Sequence, residues 1–223
     1  MEERYLRNIP TLSEAECALL REKRILIVGC GGLGGYLSEL MLRVGVTRIR
    51  LCDGDVFEPT NLNRQILSTP ALLGTKKADA AAARCRQINP NAEIESFDFN
   101  MTEENVSALL RGCDAVLDAL DNIAGRKILA RACSEADIPY IFGAVSGWTA
   151  QAALFLPKSN PMDTLYPQDT VIRDKSVLSF TPALCACMQA ALCVNYLTGR
   201  PVEIGKLYLF DLLDFDFETI PLP

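Results

Sequence analysis

The 223-residue chain contains no histidine, the side chain that most often serves as a general base and as a metal ligand. Any reaction at a site in this chain must therefore proceed without imidazole. Basic residues are also outnumbered, with 22 Lys and Arg against 28 Asp and Glu and a formal net charge of −6. Proteins that bind DNA or an anionic membrane usually carry a basic face, so this balance argues against both classes of partner.

Long apolar stretches are missing as well. No segment reaches the roughly 18 unbroken apolar residues of a membrane span. The first ten residues lack the apolar region of a signal peptide, so we expect a cytoplasmic protein. The nine cysteines are scattered and odd in number, which indicates reduced thiols rather than a disulfide framework.

Apolar patterning predicts strands that alternate with helices up to about residue 145. Strands are expected at 24–28, 48–52, 93–97, 114–118 and 140–145, and helices at 12–22, 33–44, 76–88, 102–110 and 123–136. This alternation predicts an α/β, Rossmann-like fold whose mostly parallel central sheet carries helices on both faces. Beyond it we expect a strand at 151–156, an apolar helix at 182–197 and antiparallel C-terminal strands within 206–220.

The length suits one large domain, and no linker divides the chain, so we assign residues 1–223 to a single domain. Its predicted parts are an N-terminal arm and helix (1–23), a core (24–156), a loop (157–180) and a C-terminal helix with strands (181–223).

The stretch VGCGGLGG at 28–35 has G-x-G-x-x-G spacing between a predicted strand and a predicted helix. In this motif the glycines allow a tight turn, a close approach of backbone to phosphate, and close packing of helix on strand. Free amides at a helix start also favour an anion. Asp53 follows the second predicted strand, where a ribose-binding carboxylate is expected. The pattern predicts a site for NAD, FAD or ATP formed by Gly29, Gly31, Gly32, Gly34 and Asp53.

Charged side chains further along the chain favour ATP among these nucleotides. Arg64 can clamp phosphate oxygens, Lys77 can act as a point charge, and Asp121 offers an oxygen ligand of the kind Mg²⁺ prefers. A triphosphate gains much from such cations, whereas a dinucleotide gains little. Asp55 and Asn122 are further candidates for contact with the nucleotide. From the residues alone, Lys77 can also be a surface lysine, and Asp121 or Asn122 a helix cap.

The order of these motifs resembles the ubiquitin-activating-enzyme-like superfamily, in its bacterial ThiF/MoeB/HesA branch. The resemblance covers about residues 4–156, and more weakly the helix at 181–197 and the final strands. It rests on the stretches RYLR, VGCGGLGG, LCDGDVFEPTNLNRQIL, LGTKKADAAAARCRQINP, DALDN and GAVSGWTAQ. It implies an adenylyltransferase that uses ATP and Mg²⁺ to adenylate the C-terminal glycine of a small ubiquitin-like sulfur-carrier protein ending in Gly-Gly. Pyrophosphate leaves, and the adenylate then serves sulfur transfer in cofactor biosynthesis, such as that of thiamine or molybdopterin.

By motif match, the resemblance implies that Asn61, Arg64 and Lys77 contact the triphosphate and that Asp121 holds the metal. Arg7 matches an arginine that reaches the partner subunit's ATP in family dimers, which implies a homodimer. From the sequence alone, Arg7 is instead an exposed charge near the N-terminus. The missing histidine is compatible with this reaction, because a C-terminal carboxylate has a pKa of about 3.5 and is already ionised at neutral pH.

The cysteines depart from the family pattern. Many relatives carry two C-x-x-C pairs for structural zinc, and neither pair is present; Cys185 and Cys187 have the wrong spacing, so we predict no zinc site. Residues 157–180 contain no cysteine, so we predict no covalent carrier intermediate from that loop. Cys30, within the glycine loop, is the remaining candidate nucleophile.

Two further residues have open roles. Trp148 could wall a channel for the carrier's tail or simply pack at a strand turn. Arg126 could face that tail, face a dimer interface, or be a solvated arginine on a helix.

Three other functions fit part of the pattern. Adenylation of a non-protein acceptor, such as a modified tRNA base, is one, although RNA binding usually shows a basic surface. A non-catalytic carrier-binding partner is another, against which the retained Arg64, Lys77 and Asp121 argue. An NAD(P)-dependent oxidoreductase would need a proton-transfer group near the nicotinamide, and none stands out.

Overall fold

The computed structural model describes residues 2–159, 161–167, 170 and 176–222. Its strands are β1 Arg24–Val28, β2 Arg48–Cys52, β3 Glu93–Phe97, β4 Ala115–Asp118, β5 Tyr140–Ser146, β6 Thr149–Phe155, β7 Lys206–Asp211 and β8 Asp216–Pro221. Its α-helices are α1 Glu14–Glu22, α2 Gly32–Val44, α3 Lys77–Ile88, α4 Val106–Leu110, α5 Ile123–Glu135, α6 Pro161–Leu165 and α7 Phe180–Leu197.

The described strands form one sheet in the order β3-β2-β1-β4-β5-β6-β7-β8. Strands β1 to β5 pair in parallel, and β6, β7 and β8 continue the sheet in antiparallel pairs. The predicted fold class is therefore confirmed. The division of the chain into one domain with four parts stays a prediction.

The strand order reverses at β1, which has β2 on one side and β4 on the other. Such a switch point opens a crevice beyond the carboxyl ends of the parallel strands. The chain leaves β1 into the glycine loop and leaves β4 into the turn before α5, so the two segments lie side by side at this crevice. Strand β1, with the sequence RILIV, is apolar and mostly buried, so the switch point of the sheet lies in the core of the protein.

Helices cover both faces of the sheet and enclose two apolar clusters. Helix α7 lies against β5, β6 and α2. Within the described residues, α7 is also the one helix that is long and apolar enough to cross a membrane by length and composition. Half of that window is buried inside the protein, and helices that belong to a protein core pass the same test.

Several element boundaries differ from the predicted ones. The predicted helix at 102–110 is reduced to α4, because the Asn105 side chain accepts a hydrogen bond from the Thr102 amide and forms a turn there. The predicted loop at 157–180 contains α6, and residues 160, 168–169 and 171–175 of that loop lie outside the described part. Helix α1 begins with a capping box, in which the Ser13 side chain accepts from the Glu16 amide and the Glu16 carboxylate accepts from the Ser13 amide.

The predicted antiparallel pair of C-terminal strands is confirmed. All six residues of β8, the edge strand of the sheet, are exposed. Phe217 on β8 stacks against Tyr208 on β7, with ring centroids 6.2 Å apart, and still remains half exposed.

Candidate active site

The glycine loop after β1 is held close to the turn that follows β4. Gly29 has a φ of +95°, and a Cβ atom at this position would lie 2.4 Å from the Ala119 carbonyl oxygen. A Cβ on Gly34 would lie 1.8 Å from the carbonyl oxygen of Gly29. Neither residue can carry a side chain without a backbone shift. Gly31 is the N-cap of α2, so the unpaired amides at the start of that helix face the crevice.

Asp53 ties this loop to the end of β2. Its Oδ2 accepts a hydrogen bond from the Cys30 amide at 2.7 Å, and its Oδ1 accepts one from the Asp55 amide at 2.8 Å. Burial raises the pKa of Asp53, and the two amides oppose that shift. The carboxylate lines the crevice, where a ribose hydroxyl can donate to it.

Lys77, and not Lys76, faces the crevice. Lys77 is the first residue of α3, is 8% exposed, and has its Nζ 3.1 Å from Oδ2 of Asp55. The Nζ of Lys76 instead donates to the carbonyl oxygen of Gly54 at 2.8 Å. The Arg64 guanidinium donates to the carbonyl oxygen of Thr60 at 2.9 Å, and Arg64 also lines the crevice.

Asn122 takes the capping role that the sequence left open between Asp121 and Asn122. Its Oδ1 accepts a hydrogen bond from the Gly125 amide at 2.8 Å, at the start of α5. Asp121 is exposed, and its one hydrogen bond with the described residues is a long one of 3.5 Å from the side-chain nitrogen of Asn122. The carboxylate of Asp121 is therefore not required for the cap.

Two adjoining cavities meet at this turn. The first has a volume of about 260 Å³, and its walls include Gly29, Gly31, Asp53, Asp55, Arg64, Lys77, Asp121 and Asn122. The second has a volume of about 390 Å³, and its walls include Gly32, Arg64, Asp121, Arg126, Ser146, Gln151, Tyr166 and Pro182. Arg64 and Asp121 belong to the walls of both cavities. They are thus positioned where a group bound in one cavity would meet a group bound in the other.

Among the described residues, no cluster of three or more Asp, Glu, Cys or His side chains could hold a metal ion by protein ligands alone. This fits Mg²⁺ bound with ATP, which is usually held by one or two carboxylates together with phosphate oxygens and water. Asp121 is placed to supply such a carboxylate.

Asn61 and Arg7 are not brought to these cavity walls. Asn61 is buried, and its Oδ1 accepts the Glu58 amide at 3.0 Å to close the 3-10 turn Pro59–Asn61. Arg7 is exposed on the N-terminal 3-10 helix and lines a separate groove with Cys187 and Arg200. Their predicted contacts with a triphosphate stay predictions, and that of Arg7 would have to be made to a second copy of the chain.

Gln65 is a candidate site residue that sequence reasoning missed. The side chain is 7% exposed, lines the first cavity, and lies 3.3 Å from the position that a Cβ on Gly31 would take. Its Oε1 is buried and has no hydrogen-bond partner among the described residues. The only hint in the sequence is that Gln65 follows Arg64 directly.

Of the three roles considered for Arg126, a solvated arginine on a helix is wrong, whereas contact with the carrier's tail or with a dimer interface stays a prediction. Arg126 is 5% exposed and forms an ion pair with Asp118, with 2.7 Å between Nη1 and Oδ2. Burial raises the pKa of Asp118, and the Arg126 charge opposes that shift. Trp148, in contrast, is exposed and packs on Phe180 with ring centroids 5.5 Å apart, outside the walls of both cavities.

The cysteines are free thiols, and all except Cys187 are buried. Burial raises the pKa of Cys30 well above its ordinary value, so its thiol stays protonated at neutral pH, which argues against a nucleophilic role. The buried Cys185 and the exposed Cys187 point to different sides of α7 and would not share a metal ion. The predicted absence of zinc stays a prediction.

The fold and the site together define a nucleotide-binding α/β protein with an anion-binding glycine loop at the switch point of its sheet. Comparison with known proteins identifies the family, since the model of the ThiF family matches residues 4–223. The chain belongs to the ThiF family.

Three curated relatives illustrate the match. The SAMP-activating enzyme E1 of Haloferax volcanii is 32% identical over 209 residues, which cover 91% of this chain and 77% of that protein. The molybdopterin-synthase adenylyltransferase of Haemophilus influenzae is 31% identical over 92% of this chain and 87% of that protein. The adenylyltransferase and sulfurtransferase MOCS3 of Bos taurus is 32% identical, and the chain covers 50% of its length. These names support the predicted enzyme class, adenylyltransferase.

Solved structures show the same fold. A crystal structure of Escherichia coli MccB with succinimide has a TM-score of 0.84 at 19% identity, covering 100% of this chain and 72% of that one. A crystal structure of Escherichia coli MccB with ATP has a TM-score of 0.79 at 18% identity, covering 93% of this chain and 66% of that one. At these identities the likeness establishes the fold.

Proposed function

We propose that this chain is an ATP-dependent adenylyltransferase that adenylates the C-terminal glycine of a small ubiquitin-like sulfur-carrier protein and releases pyrophosphate. The observation that carries the proposal is the position of Arg64 and Asp121 in the wall shared by the two cavities. The first cavity has the amides and cations that suit a triphosphate. The second opens from it and suits the incoming tail.

In this reaction the first cavity holds ATP. The amides at the start of α2 bind phosphate oxygens, and Asp53 accepts a hydrogen bond from the ribose. Lys77 and Arg64 balance the charge of the triphosphate, and Asp121 would hold Mg²⁺, which neutralises part of that charge when bound. The tail carboxylate attacks the α-phosphorus, a new phosphorus–oxygen bond forms, and the bond to the pyrophosphate group breaks. No base is needed, because the attacking carboxylate is already ionised.

The second cavity supports a protein tail as the acceptor. Its walls combine apolar side chains with Ser146, Gln151 and Tyr166, which can hydrogen-bond an extended backbone. A tail that ends in Gly-Gly has no side chains near its terminus and can reach the wall formed by Arg64 and Asp121. The relatives named SAMP-activating enzyme E1 and molybdopterin-synthase adenylyltransferase favour a protein acceptor as well.

We propose in addition that the chain acts as a homodimer, with Arg7 of each copy directed to the ATP of the other. In support, Arg7 is exposed and makes no hydrogen bond or ion pair with the described residues. An arginine supplied in this way would stabilise negative charge in the transition state.

ATP–pyrophosphate exchange tests the proposed function. Purified protein is assayed with Mg²⁺, ATP and labelled pyrophosphate, with and without each ubiquitin-like protein ending in Gly-Gly from the source organism. Exchange is expected with one or more carriers, and a carrier lacking its last glycine is the matched control. Exchange with none of them would contradict the proposal, and exchange driven by tRNA would instead show a nucleic acid acceptor.

A further inference from the structure

Within the described part of the chain, the Arg126 side chain makes three hydrogen bonds, more than the side chain of any site residue predicted from the sequence. It lies on the first turns of α5, and its guanidinium donates to Oδ2 of Asp118 and to the carbonyl oxygen of Gly143, both at 2.7 Å. It also donates to the carbonyl oxygen of Leu120. One side chain therefore joins the end of β4, the turn after it and the middle of β5.

The turn after β4 is held through both the backbone amide and the backbone carbonyl of Leu120. The Leu120 amide donates to Oδ1 of Asp118 at 2.9 Å, and the Leu120 carbonyl accepts from Arg126. Leu120 directly precedes Asp121, the carboxylate proposed for the metal. The buried ion pair thus holds the backbone from which Asp121 projects into the wall of both cavities.

The pair is in turn held from the sheet and from α7. The hydroxyl of Tyr140 donates to Oδ2 of Asp118, and the guanidinium of Arg126 lies 5.1 Å from the centre of the Phe142 ring. The Gln189 amide donates to the backbone oxygen of Asp118 at 2.8 Å. These contacts leave the ion pair little freedom to change its geometry.

A buried ion pair is by itself weak evidence of a gain in stability. The cost of removing both charges from water is large, and replacement of such pairs by apolar residues is often neutral or stabilising. What the pair provides here is geometry, because a planar guanidinium forms several hydrogen bonds in fixed directions. Lysine in place of Arg126 would keep the positive charge but would lose the planar set of hydrogen-bond donors.

We propose that Arg126 and Asp118 are positioning residues that hold the Leu120 turn so that Asp121 meets the nucleotide-bound metal. The inference rests on the proposed function, since it takes Mg·ATP as the group bound beside Asp121. It predicts that the pair influences the reaction through Asp121 and not through contact with the acceptor.

The test uses the full chain and four variants. Arg126→Lys removes the planar set of donors of the guanidinium. Tyr140→Phe removes one hydrogen bond to Asp118 and keeps the aromatic ring. Asp121→Ala removes the proposed metal ligand. Arg131→Lys is the matched control, because Arg131 lies on the same helix in an exposed ion pair with Glu103.

Two readouts are measured. The first is amide hydrogen exchange of residues 119–123 in the free protein, which is expected to become faster in Arg126→Lys and Tyr140→Phe and to stay unchanged in Arg131→Lys. The second is the Mg²⁺ concentration that gives half-maximal tightening of ATP binding. It is expected to rise about tenfold or more in Arg126→Lys, as when a charge-assisted hydrogen bond is lost. In the Asp121→Ala background, Arg126→Lys is expected to add no further change.

Unchanged exchange in the turn, or an Arg126→Lys effect of equal size with and without Asp121, would overturn the inference. If Arg126→Lys does not fold, Tyr140→Phe provides the same comparison with a smaller effect. A chain that shows these couplings but no carrier-dependent pyrophosphate exchange would contradict the proposed function and leave the positioning role standing.

Discussion

The Nζ of Lys77 lies 3.1 Å from Oδ2 of Asp55, so the buried cation of the proposed nucleotide site is paired with a carboxylate in the free protein. The two partners differ in environment. The Lys77 side chain is 10% exposed, whereas that of Asp55 is 65% exposed. Asp55 can therefore turn to water when a phosphate group takes its place at Lys77.

Replacement of Lys77 by methionine is expected to lower kcat/KM for ATP by roughly 100-fold, because a cation facing developing charge is lost. The fold is expected to persist, since the Asp55 carboxylate left behind is solvated. Steady-state pyrophosphate exchange measures the effect. Lys76→Met is the matched control and is expected to stay within a few-fold of wild type. Equal losses in both variants would contradict the assignment of Lys77 to the triphosphate.

Gly34→Ala is expected to lower the free energy of unfolding by about 3 kcal/mol, in the range for overpacking. The reason is that the added Cβ would meet the Gly29 carbonyl at 1.8 Å, and backbone must move to admit it. Gly32→Ala is the control, because its Cβ would have its nearest neighbour, on Pro182, at 3.5 Å. Urea unfolding of both variants checks the difference. A Gly34→Ala protein as stable as Gly32→Ala would show that the loop packs differently.

Gln65→Met is expected to weaken ATP binding while leaving the free protein as stable as wild type, or more stable by about 1 kcal/mol. The Oε1 atom is a buried acceptor without a partner among the described residues, and such a group costs free energy in the free protein. Thermal unfolding and calorimetric titration with ATP are measured on the same samples, with the exposed Gln87→Met as control. A clear loss of stability with unchanged ATP affinity would assign Gln65 to the fold instead of the ligand.

Glu16 is expected to titrate with a pKa of about 2, below its ordinary value of 4.5, because the Arg200 side chain and the Ser13 capping box hydrogen-bond its carboxylate. A lowered pKa means that the folded state binds fewer protons than the unfolded state. The stabilisation is therefore present above pH 4.5 and is lost as the pH falls toward 2.

The free energy of unfolding of wild type and of Glu16→Gln, measured as a function of pH, checks this pH dependence. The variant is expected to be less stable at pH 7, and the difference is expected to shrink on acidification. A difference that is independent of pH would mean that the carboxylate charge does not contribute. The contact between Glu16 and Arg200 is relevant to the proposed role of Arg7, because α1 and its capping box follow the N-terminal arm that carries Arg7.

The place of the site could be predicted from the sequence because it follows from chain connectivity. Residues directly after parallel strands lie at one edge of the sheet, so Gly29 after β1, Asp53 after β2 and Asp121 after β4 had to lie near one another. Glycine density and strand patterning are local signals, and they fix this edge without tertiary detail.

The parts that failed depend on which direction a side chain takes in three dimensions. Arg126 reads as an ordinary helix arginine, because its partners Asp118 and Gly143 lie on two different strands that no local pattern connects to it. Asn61 matches a family motif, and the motif alone does not predict that its side-chain oxygen also closes a turn. Sequence patterns report residue types and spacing, whereas hydrogen-bond partners are decided by packing.

The most direct test of the central claim is a crystal structure of the protein with Mg²⁺ and α,β-methylene-ATP. The account predicts that the phosphates lie against the amides at the start of α2, that nitrogen atoms of Arg64 and Lys77 are within hydrogen-bond distance of phosphate oxygens, and that Asp121 coordinates the metal. A nucleotide bound elsewhere, or bound in this cavity with those three side chains turned to solvent, would contradict it.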